Sequence, residues 1–247
     1  MARVFARSSV QYLTASYAPV TAAPLTMACW YWTEDLTINA VAVVTGQGGV
    51  DADGFRITNV GTSAGDPPRA LAKLNTTGSY MDGTWSPALA AQTWRHEGAI
   101  FRAAPGTLAG VADGVISSAG ASTKVPVVFD TTTIGIRLDN NSSTAVDGRI
   151  AELAFWDVEL TADEFAALNK GYSPACIRPA NLALYLPLID DADTDLVSGT
   201  VFTAVNSPTV GAHPPIIYRR RGRIFVPSAY VPPTPVNISL GFMPVVS

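Results

Sequence analysis

Hydrophobic side chains alternate with polar ones along much of residues 1–214, and a period of two is the period of a β-strand. The alternation is clear at residues 55–58 and again at 182–188, where leucine occupies every second position. Residues 26–33 and 40–45 are apolar on both faces, which indicates central strands covered on both sides. Turn residues separate these segments about every 8–12 positions. The pattern predicts an all-β domain in which antiparallel strands form a two-sheet sandwich.

One short helix is predicted near the end of this region. A capping box begins at Thr161, the N-cap, and places Glu164 at the third helical position, where the two residues satisfy each other's backbone N–H groups. Phe165 and Leu168 supply an apolar side, and Gly171 fits the position just after the helix end. We expect about two or three turns that lie on the sandwich rather than form a separate domain.

Residues 215–247 differ from the rest of the chain in charge and in proline content. Residues 1–214 carry 12 basic and 20 acidic groups, whereas this segment carries four arginines and no acid. Its six prolines exclude a regular helix or a central strand, because proline lacks a backbone N–H and fixes φ. We predict an extended C-terminal arm that lies on its own domain or on a neighbouring subunit. Its expected contact residues are Arg219, Arg220, Arg221, Arg223, Phe225 and Tyr230.

The arginine cluster of the arm admits three interpretations. It could contact phosphate, pair with acidic patches on a neighbouring subunit, or form a solvated turn. The flanking prolines and aromatic residues favour a protein partner, because phosphate binding does not require them.

Charge and hydropathy restrict the class of protein. Charged residues make up 15% of the chain and mean hydropathy is +0.23, whereas ordinary soluble domains are roughly 25% charged. Such a chain is not disordered, and no segment approaches the ~20 apolar residues of a membrane span or the start of a secretory signal. The net charge of −4 argues against a nucleic-acid binder. A surface so poor in charge predicts a homo-oligomer or coverage by neighbouring subunits.

Two cysteines, Cys29 and Cys176, are too few for a disulfide scaffold. We expect two buried free thiols, since unpaired cysteine is among the most buried residue types. A single disulfide between them is the alternative.

The residues that catalysis needs do not occur in suitable arrangements, and we predict that the protein is not an enzyme. Glycoside hydrolysis requires two carboxylates that face one bond. Glu34 and Asp35 are adjacent, so they would face opposite sides of a strand, and Glu152 stands alone on its strand. The two histidines also lack a catalytic setting, because His96 lies on an alternating strand and His213 in a loop before the arm.

A single structural calcium is the one cofactor that the acidic residues suggest. Asp191, Asp193 and Asp195 have the spacing at which a calcium loop begins. Leu196 and Phe202, however, stand where an EF-hand requires Gly and Glu. We therefore interpret the run as a solvated turn and expect no cofactor. The alternative ligands at another loop are Asp139, Asn140 and Asp147.

A sugar-binding site would combine an aromatic platform with polar loop residues. Trp85 and Trp94 are the candidate platforms, and Tyr80 with Asn140 and Asn141 could serve beside them. The alternative is that both tryptophans cover edges of the hydrophobic core.

Several motifs occur in an order that is typical of one family. Residues 148–165 contain a Gly, an Ile, an alternating apolar strand, an aromatic–Asp pair, Leu-Thr and a Glu-headed helix. TWRH at 93–96, VADG at 111–114 and TIGIR at 133–137 precede that run. Together they resemble a laminin G-like domain of the concanavalin A-like jelly rolls over residues 1–214. The resemblance implies two packed antiparallel sheets, about 12–14 strands and chain ends that lie near each other.

A laminin G-like domain followed by a short basic arm also resembles structural proteins of tailed bacteriophages. That resemblance implies a virion protein, with capsid decoration as the first expectation and a head-fibre or tail component as the second. The arm would dock the jelly roll on capsid or other virion proteins by strand addition or by wrapping a neighbour. The alternative is a carbohydrate-binding, lectin-like adhesion module whose partners are surface glycans. Neither function involves a membrane or nucleic acid.

Overall fold

A computed structural model describes residues 1–61, 63, 66–84, 88–103, 106–122 and 124–217. Two antiparallel sheets pack face to face, and one α-helix lies on the outside. The nine-stranded sheet contains, in spatial order, β10 (Val115–Ile116), β9 (Thr107–Ala112), β8 (Arg95–Phe101), β3 (Leu25–Thr33), β13 (Gly148–Trp156), β1 (Ala2–Phe5) and β16 (Thr209–Gly211), with β11 (Gly120–Ala121) on β9 and β14 (Leu182–Leu186) on β13. The seven-stranded sheet contains β15 (Thr203–Val205), β2 (Tyr12–Ala15), β12 (Thr131–Ile134), β4 (Asn39–Gly46), β5 (Gly54–Val60), β6 (Pro68–Leu74) and β7 (Thr77–Asp82).

The inner faces of the two sheets form the main hydrophobic core. Phe55 and Ile57 point into it, whereas Arg56 and Thr58, the alternate residues of β5, point outwards. The predicted period of two is thus confirmed, and the two predicted central strands are β3 and β4. Large buried side chains of this core include Phe5, Met27, Tyr31, Phe101, Phe155 and Phe202.

One carboxylate, that of Glu97, is buried within this core. Its Oε2 accepts a hydrogen bond of 2.9 Å from Nδ2 of Asn59, which belongs to the opposite sheet, and its Oε1 accepts one of 3.4 Å from Sγ of Cys29 on the neighbouring strand. Burial raises the pKa of Glu97 to about 8, an effect that these two hydrogen bonds only partly offset. Glu97 therefore links the two sheets at a polar point inside the core.

The predicted helix is α1 (Ala162–Asn169), which covers the outer face of the nine-stranded sheet. The hydroxyl of Thr161 accepts a hydrogen bond from the backbone N–H of Glu164, and the Glu164 carboxylate accepts one from the N–H of Thr161, so the capping box is confirmed. Phe165 and Leu168 are buried against the sheet. Gly171 follows the helix with φ +88°, a left-handed conformation that favours glycine.

The beginning and end of the described chain lie side by side, as the resemblance implied. β1 pairs with β16, and β2 belongs to the other sheet, so the first 25 residues are part of the sandwich. After β16 the chain runs along the end of α1, where the N–H of Ile217 donates to the carbonyl of Gly171 at 2.6 Å. Residues 215–217, the first three of the predicted arm, therefore pack on the domain.

Two expectations need correction. The structure contains sixteen strands in its described residues, more than the 12–14 implied by the resemblance, because four pairings of two or three residues add β10, β11, β15 and β16. Both cysteines are free, as expected, but only Cys29 is buried: it points into the core, whereas Cys176 lies in a partly exposed 3-10 turn (Pro174–Cys176). The expectation that both thiols are buried is therefore wrong for Cys176, and the disulfide alternative is wrong as well. Across the described part of the chain, no helix has the length and apolar character needed to cross a membrane.

Candidate functional site

The outer face of the seven-stranded sheet carries two clefts on either side of one loop. Residues 137–144 follow β12 and lie on this face, where Leu138 packs against Val41 and Val44 of β4. A 3-10 turn (Ser142–Thr144) within this loop is capped by Asn141, whose side chain accepts a hydrogen bond from the N–H of Ser143. The loop is therefore fixed to the sheet, and polar side chains line the cleft on each side of it.

The first cleft, here called the polar cleft, has a volume of about 430 Å³. Short hydroxyl and amide side chains from β2, β12 and the neighbouring loops dominate its walls. Its described lining residues are Tyr12, Thr14, Ser16, Gly48, Gly49, Asp130, Thr131, Thr133, Leu138 and Asn140.

Asp130 is the carboxylate of the polar cleft, and its orientation is fixed by two donors. Its Oδ1 accepts hydrogen bonds from the N–H of Gly48 at 2.8 Å and from the hydroxyl of Thr131 at 2.7 Å. A Cβ at position 48 would lie 2.3 Å from Oγ1 of Thr131, so glycine is required for this close approach. Tyr12 offers a partly exposed ring and Asn140 an exposed amide beside the carboxylate. A carboxylate, an amide and an aromatic ring are the groups that bind a sugar's hydroxyls and its apolar ring face.

The second cleft, here called the arginine cleft, has a volume of about 490 Å³. Four of the described residues that line it are arginines and none is acidic. Apolar residues of β4, β5 and β6 form its floor. The full described lining is Arg7, Thr37, Ile38, Asn39, Val41, Arg56, Thr58, Val60, Arg69, Leu71, Arg137, Ser143 and Thr144.

Two of these arginines are oriented by carboxylates outside the lining. Nε and Nη2 of Arg69 donate to the two oxygens of Asp82 at 2.5 and 2.9 Å, and the guanidinium lies 3.8 Å from the centre of the Tyr80 ring. Arg137 makes the same forked contact with Asp139, at 2.7 and 2.5 Å. These hydrogen bonds raise the pKa of both guanidinium groups, so both stay charged.

Arg56 is the most deeply buried of the four cations, with 12% of its side chain exposed. Asp51 is shared by three cations. Nη1 of Arg56 lies 2.8 Å from its carboxylate, Nη1 of Arg137 lies 3.3 Å from it, and the Lys73 ammonium also pairs with it. Burial lowers the pKa of Arg56, although Asp51 opposes this shift. Nε of Arg56 is buried and has no hydrogen-bond partner within the described residues.

The sequence-predicted glycan residues are distributed differently from expectation. Tyr80 is 56% exposed and stacks on Arg69 at the edge of the arginine cleft, and Asn140 lines the polar cleft. Asn141 instead caps the turn. Trp94 is half-buried just before β8 and is not among the described lining residues of either cleft. Trp85 lies outside the described residues, as do all six arm residues, Arg219, Arg220, Arg221, Arg223, Phe225 and Tyr230.

The acidic residues considered for calcium already have other partners. Asp193 is buried and accepts a 2.5 Å hydrogen bond from Nη2 of Arg3, while Asp195 accepts the N–H groups of Tyr185 and Val197. Within the ranges that the structure describes, no group of three or more His, Cys, Asp or Glu side chains could hold a metal ion. The expectation of a solvated turn at Asp191, Asp193 and Asp195 is therefore wrong for the last two residues, which are buried and held by internal contacts. In the other set, Asp139 accepts a hydrogen bond from Arg137 and Asp147 accepts one from the N–H of Arg7.

Glu152 and His213 are brought together, which their positions in the sequence did not indicate. Glu152 sits at an irregularity of β13 with φ +53°, and its Oε1 lies 3.3 Å from Nε2 of His213. Its Oε2 accepts a 2.7 Å hydrogen bond from the Tyr185 hydroxyl, which also bonds Ser173 at 2.9 Å. Glu152, Tyr185 and Ser173 are almost completely buried. We interpret this network as the attachment of residues 213–217 to the sandwich.

The family model Laminin_G_3, described as concanavalin A-like lectin/glucanases superfamily, matches residues 7–166. No curated protein matches the sequence significantly.

Solved structures of similar fold share little sequence identity with this chain. A putative carbohydrate-binding protein from Bacteroides ovatus ATCC 8483 has a TM-score of 0.59 at 16% identity, covering 85% of this chain and 61% of that one. A heptameric SAP-like pentraxin from Limulus polyphemus has a TM-score of 0.57 at 14% identity, covering 81% and 88%. Domains LG4-5 of the mouse laminin alpha1 chain have a TM-score of 0.51 at 12% identity, covering 66% and 43%. At these identities the likeness shows the fold.

Proposed function

The chain belongs to the Laminin_G_3 family of the concanavalin A-like lectin/glucanase superfamily, and from this premise we propose that it is a carbohydrate-binding, lectin-like module. The observation that carries the proposal is the polar cleft, in which Asp130 is held in place beside the Tyr12 ring and the Asn140 amide. Sugar hydroxyls would donate to Asp130 and pair with Asn140, and one ring face would lie on Tyr12. A similar fold in a putative carbohydrate-binding protein supports this proposal.

We further propose that the module binds without catalysis. Hydrolysis of a glycosidic bond requires two carboxylates across the bond, and Asp130 is the only acidic residue among the described residues that line the polar cleft. The arginine cleft has none in its described lining. The other expectation, a phage structural protein located in the virion and docked by its arm, depends on residues 218–247 outside the described chain. It stays a prediction, and carbohydrate binding is the function that the described geometry supports better.

The experiment is a glycan screen of the full chain, followed by titration calorimetry on the best neutral ligand with three single variants. Asp130→Ala and Tyr12→Ala should weaken binding about ten- to a hundred-fold, because charged hydrogen bonds are worth about 1.5–3 kcal/mol and aromatic contacts somewhat less. Trp94→Ala is the matched aromatic control and should bind normally. If Trp94→Ala abolishes binding and the other two variants do not, the site is wrong. If no glycan binds the full chain, the proposed function is wrong.

A further inference from the structure

We propose that the arginine cleft is a second subsite, which binds the carboxylate group of an acidic sugar such as a uronic acid. This inference rests on the proposed carbohydrate-binding function and extends it by naming the ligand class. It is a separate site from the polar cleft, because the loop at residues 137–144 lies between the two.

The first argument is the sign of the groups that face the cleft. Arg7, Arg56, Arg69 and Arg137 line it, and their carboxylate partners do not. The four arginines and the nearby Lys73 are paired with only four carboxylates, because Asp51 is shared by three cations. The set therefore carries a net charge of about +1 on a chain whose total is −4. An anionic ligand would be attracted to this face in particular.

The second argument is an unused donor on Arg56, one of the residues that line the cleft. Nε of Arg56 is buried without a hydrogen-bond partner among the described residues. Leaving a buried donor unsatisfied costs about 1–3 kcal/mol, and more when the group is charged. An anionic group that reaches the exposed part of the Arg56 side chain would offset part of that cost.

The third argument is geometric preorganisation. Asp82 and Asp139 each hold one edge of a guanidinium through two hydrogen bonds, which fixes the planes of Arg69 and Arg137 before any ligand arrives. A planar guanidinium matches a planar carboxylate, so fixed arginines favour such a group in one orientation. Little side-chain freedom would then be lost on binding.

The surroundings favour a sugar as the carrier of the carboxylate. Asn39, Thr58 and Ser143 offer hydroxyl and amide groups on the walls, while Val41 and Leu71 provide apolar floor for a ring face. The exposed ring of Tyr80 lies next to Arg69 at the edge. The volume of about 490 Å³ falls within the range of small-molecule sites.

The test is calorimetric titration of the full chain with a galacturonic acid oligomer and with the same oligomer after methyl esterification. The ester keeps the ring and its hydroxyls and removes the charge, so we expect it to bind at least ten-fold more weakly. Arg69→Gln and Arg56→Gln should abolish this difference. Arg102→Gln is the matched control, because Arg102 forms a comparably exposed ion pair with Glu159 on the other sheet, and it should keep the difference. Affinity for the acid should fall as salt is added.

Arg69→Gln keeps the test decisive if Arg56→Gln fails to fold, because Arg69 lies at the more exposed edge. Equal binding of acid and ester overturns the acidic-sugar inference and leaves the proposed function standing. Competition by inorganic phosphate at the same concentration as the sugar acid also overturns it, because the cleft would then be a general anion site. Absence of binding to any glycan, neutral or acidic, removes the proposed function together with this inference.

Discussion

At the scale of single residues, Glu97 makes the stability of the fold depend on pH. The side chain is fully buried between the sheets, and its pKa of about 8 means that it is mostly protonated at neutral pH. In the unfolded chain the same carboxyl would titrate near 4.5. Between these two values the folded state holds a proton that the unfolded state has released, so stability falls as pH rises.

Glu97→Gln should remove the part of this dependence that Glu97 contributes, while Asp66 and Asp193, whose pKa values burial raises to about 7 and about 6, keep the rest. The Glu97 part amounts to up to about 1.4 kcal/mol of unfolding free energy for each pH unit across this window, so the neutral amide should lose less and be the more stable protein at pH 8. Urea unfolding at half-unit pH steps from 5 to 8.5 measures both. Glu34→Gln, which changes an exposed carboxylate, is the control. Parallel pH profiles for Glu97→Gln and the wild type would contradict the prediction.

At the scale of elements, α1 depends on its first turn. Its eight residues are too few for a helix to be stable alone, so the capping box and the apolar contact with the sheet must supply its stability. Glu164 contributes to the first turn in two ways, since it caps Thr161 and pairs with Arg178 at 2.5 Å. Burial alone would raise its pKa, but these contacts lower it.

Thr161→Ala should destabilise the protein by about 1 kcal/mol, because the N–H of Glu164 loses its acceptor. Thr161→Ser keeps an oxygen at the same place and should restore most of the loss. Urea denaturation midpoints of the three proteins, compared at equal slope, measure the effect. An alanine variant as stable as the serine variant would show that the cap contributes nothing.

Gly98 lets α1 approach the sheet. A Cβ at this position would lie 2.8 Å from Cε1 of Phe165 and 2.9 Å from the carbonyl oxygen of Met27. Gly98→Ala should therefore cost about 1–3 kcal/mol, the usual range for overpacking a core. Phe165→Leu in the same chain should recover part of that loss, since it removes the ring. A double-mutant cycle from thermal unfolding tests this, and additive effects would contradict it.

Local patterns predicted the elements well, because each depends on neighbours in sequence. The alternation at residues 55–58 predicted which side chains face the core, and Thr161 with Glu164 predicted where the helix begins. The Asp113-Gly114 turn between β9 and β10 has φ of +47° and +80°, as a two-residue hairpin requires.

At the scale of the whole molecule, the candidate site was beyond the reach of such patterns. Arg7, Arg56, Arg69 and Arg137 come from four separate segments, and only the strand order of the seven-stranded sheet brings them to one cleft. The outward positions of Arg56 and Arg69 on alternating strands were the available signal, but an outward arginine is ordinarily solvated, and Arg7 and Arg137 lie in a turn and a loop that carry no such pattern. The pairing of Glu152 with His213 across 61 positions is hidden for the same reason.

The end of the domain is the last structural feature with a direct test. The N–H of Ile217 bonds Gly171, the N–H of Ser173 bonds the carbonyl of Ile217, and His213 lies against buried Glu152. A chain ending at residue 212 should therefore be less stable than one ending at residue 217 by about 1–3 kcal/mol, because it loses these backbone hydrogen bonds and the contact that covers Glu152; urea denaturation measures the difference.

Glu152→Gln in the full chain is the control for this truncation, because it removes the carboxylate that His213 contacts and keeps residues 213–217; it should account for only part of the loss. Equal stability of the chains ending at 212 and 217 would show that residues 213–217 are not part of the domain.

Light scattering on the full chain and on the chain ending at 217 tests the predicted arm. If the full chain assembles and the chain ending at 217 is a monomer, residues 218–247 are an assembly element. Monomers in both cases would contradict that prediction.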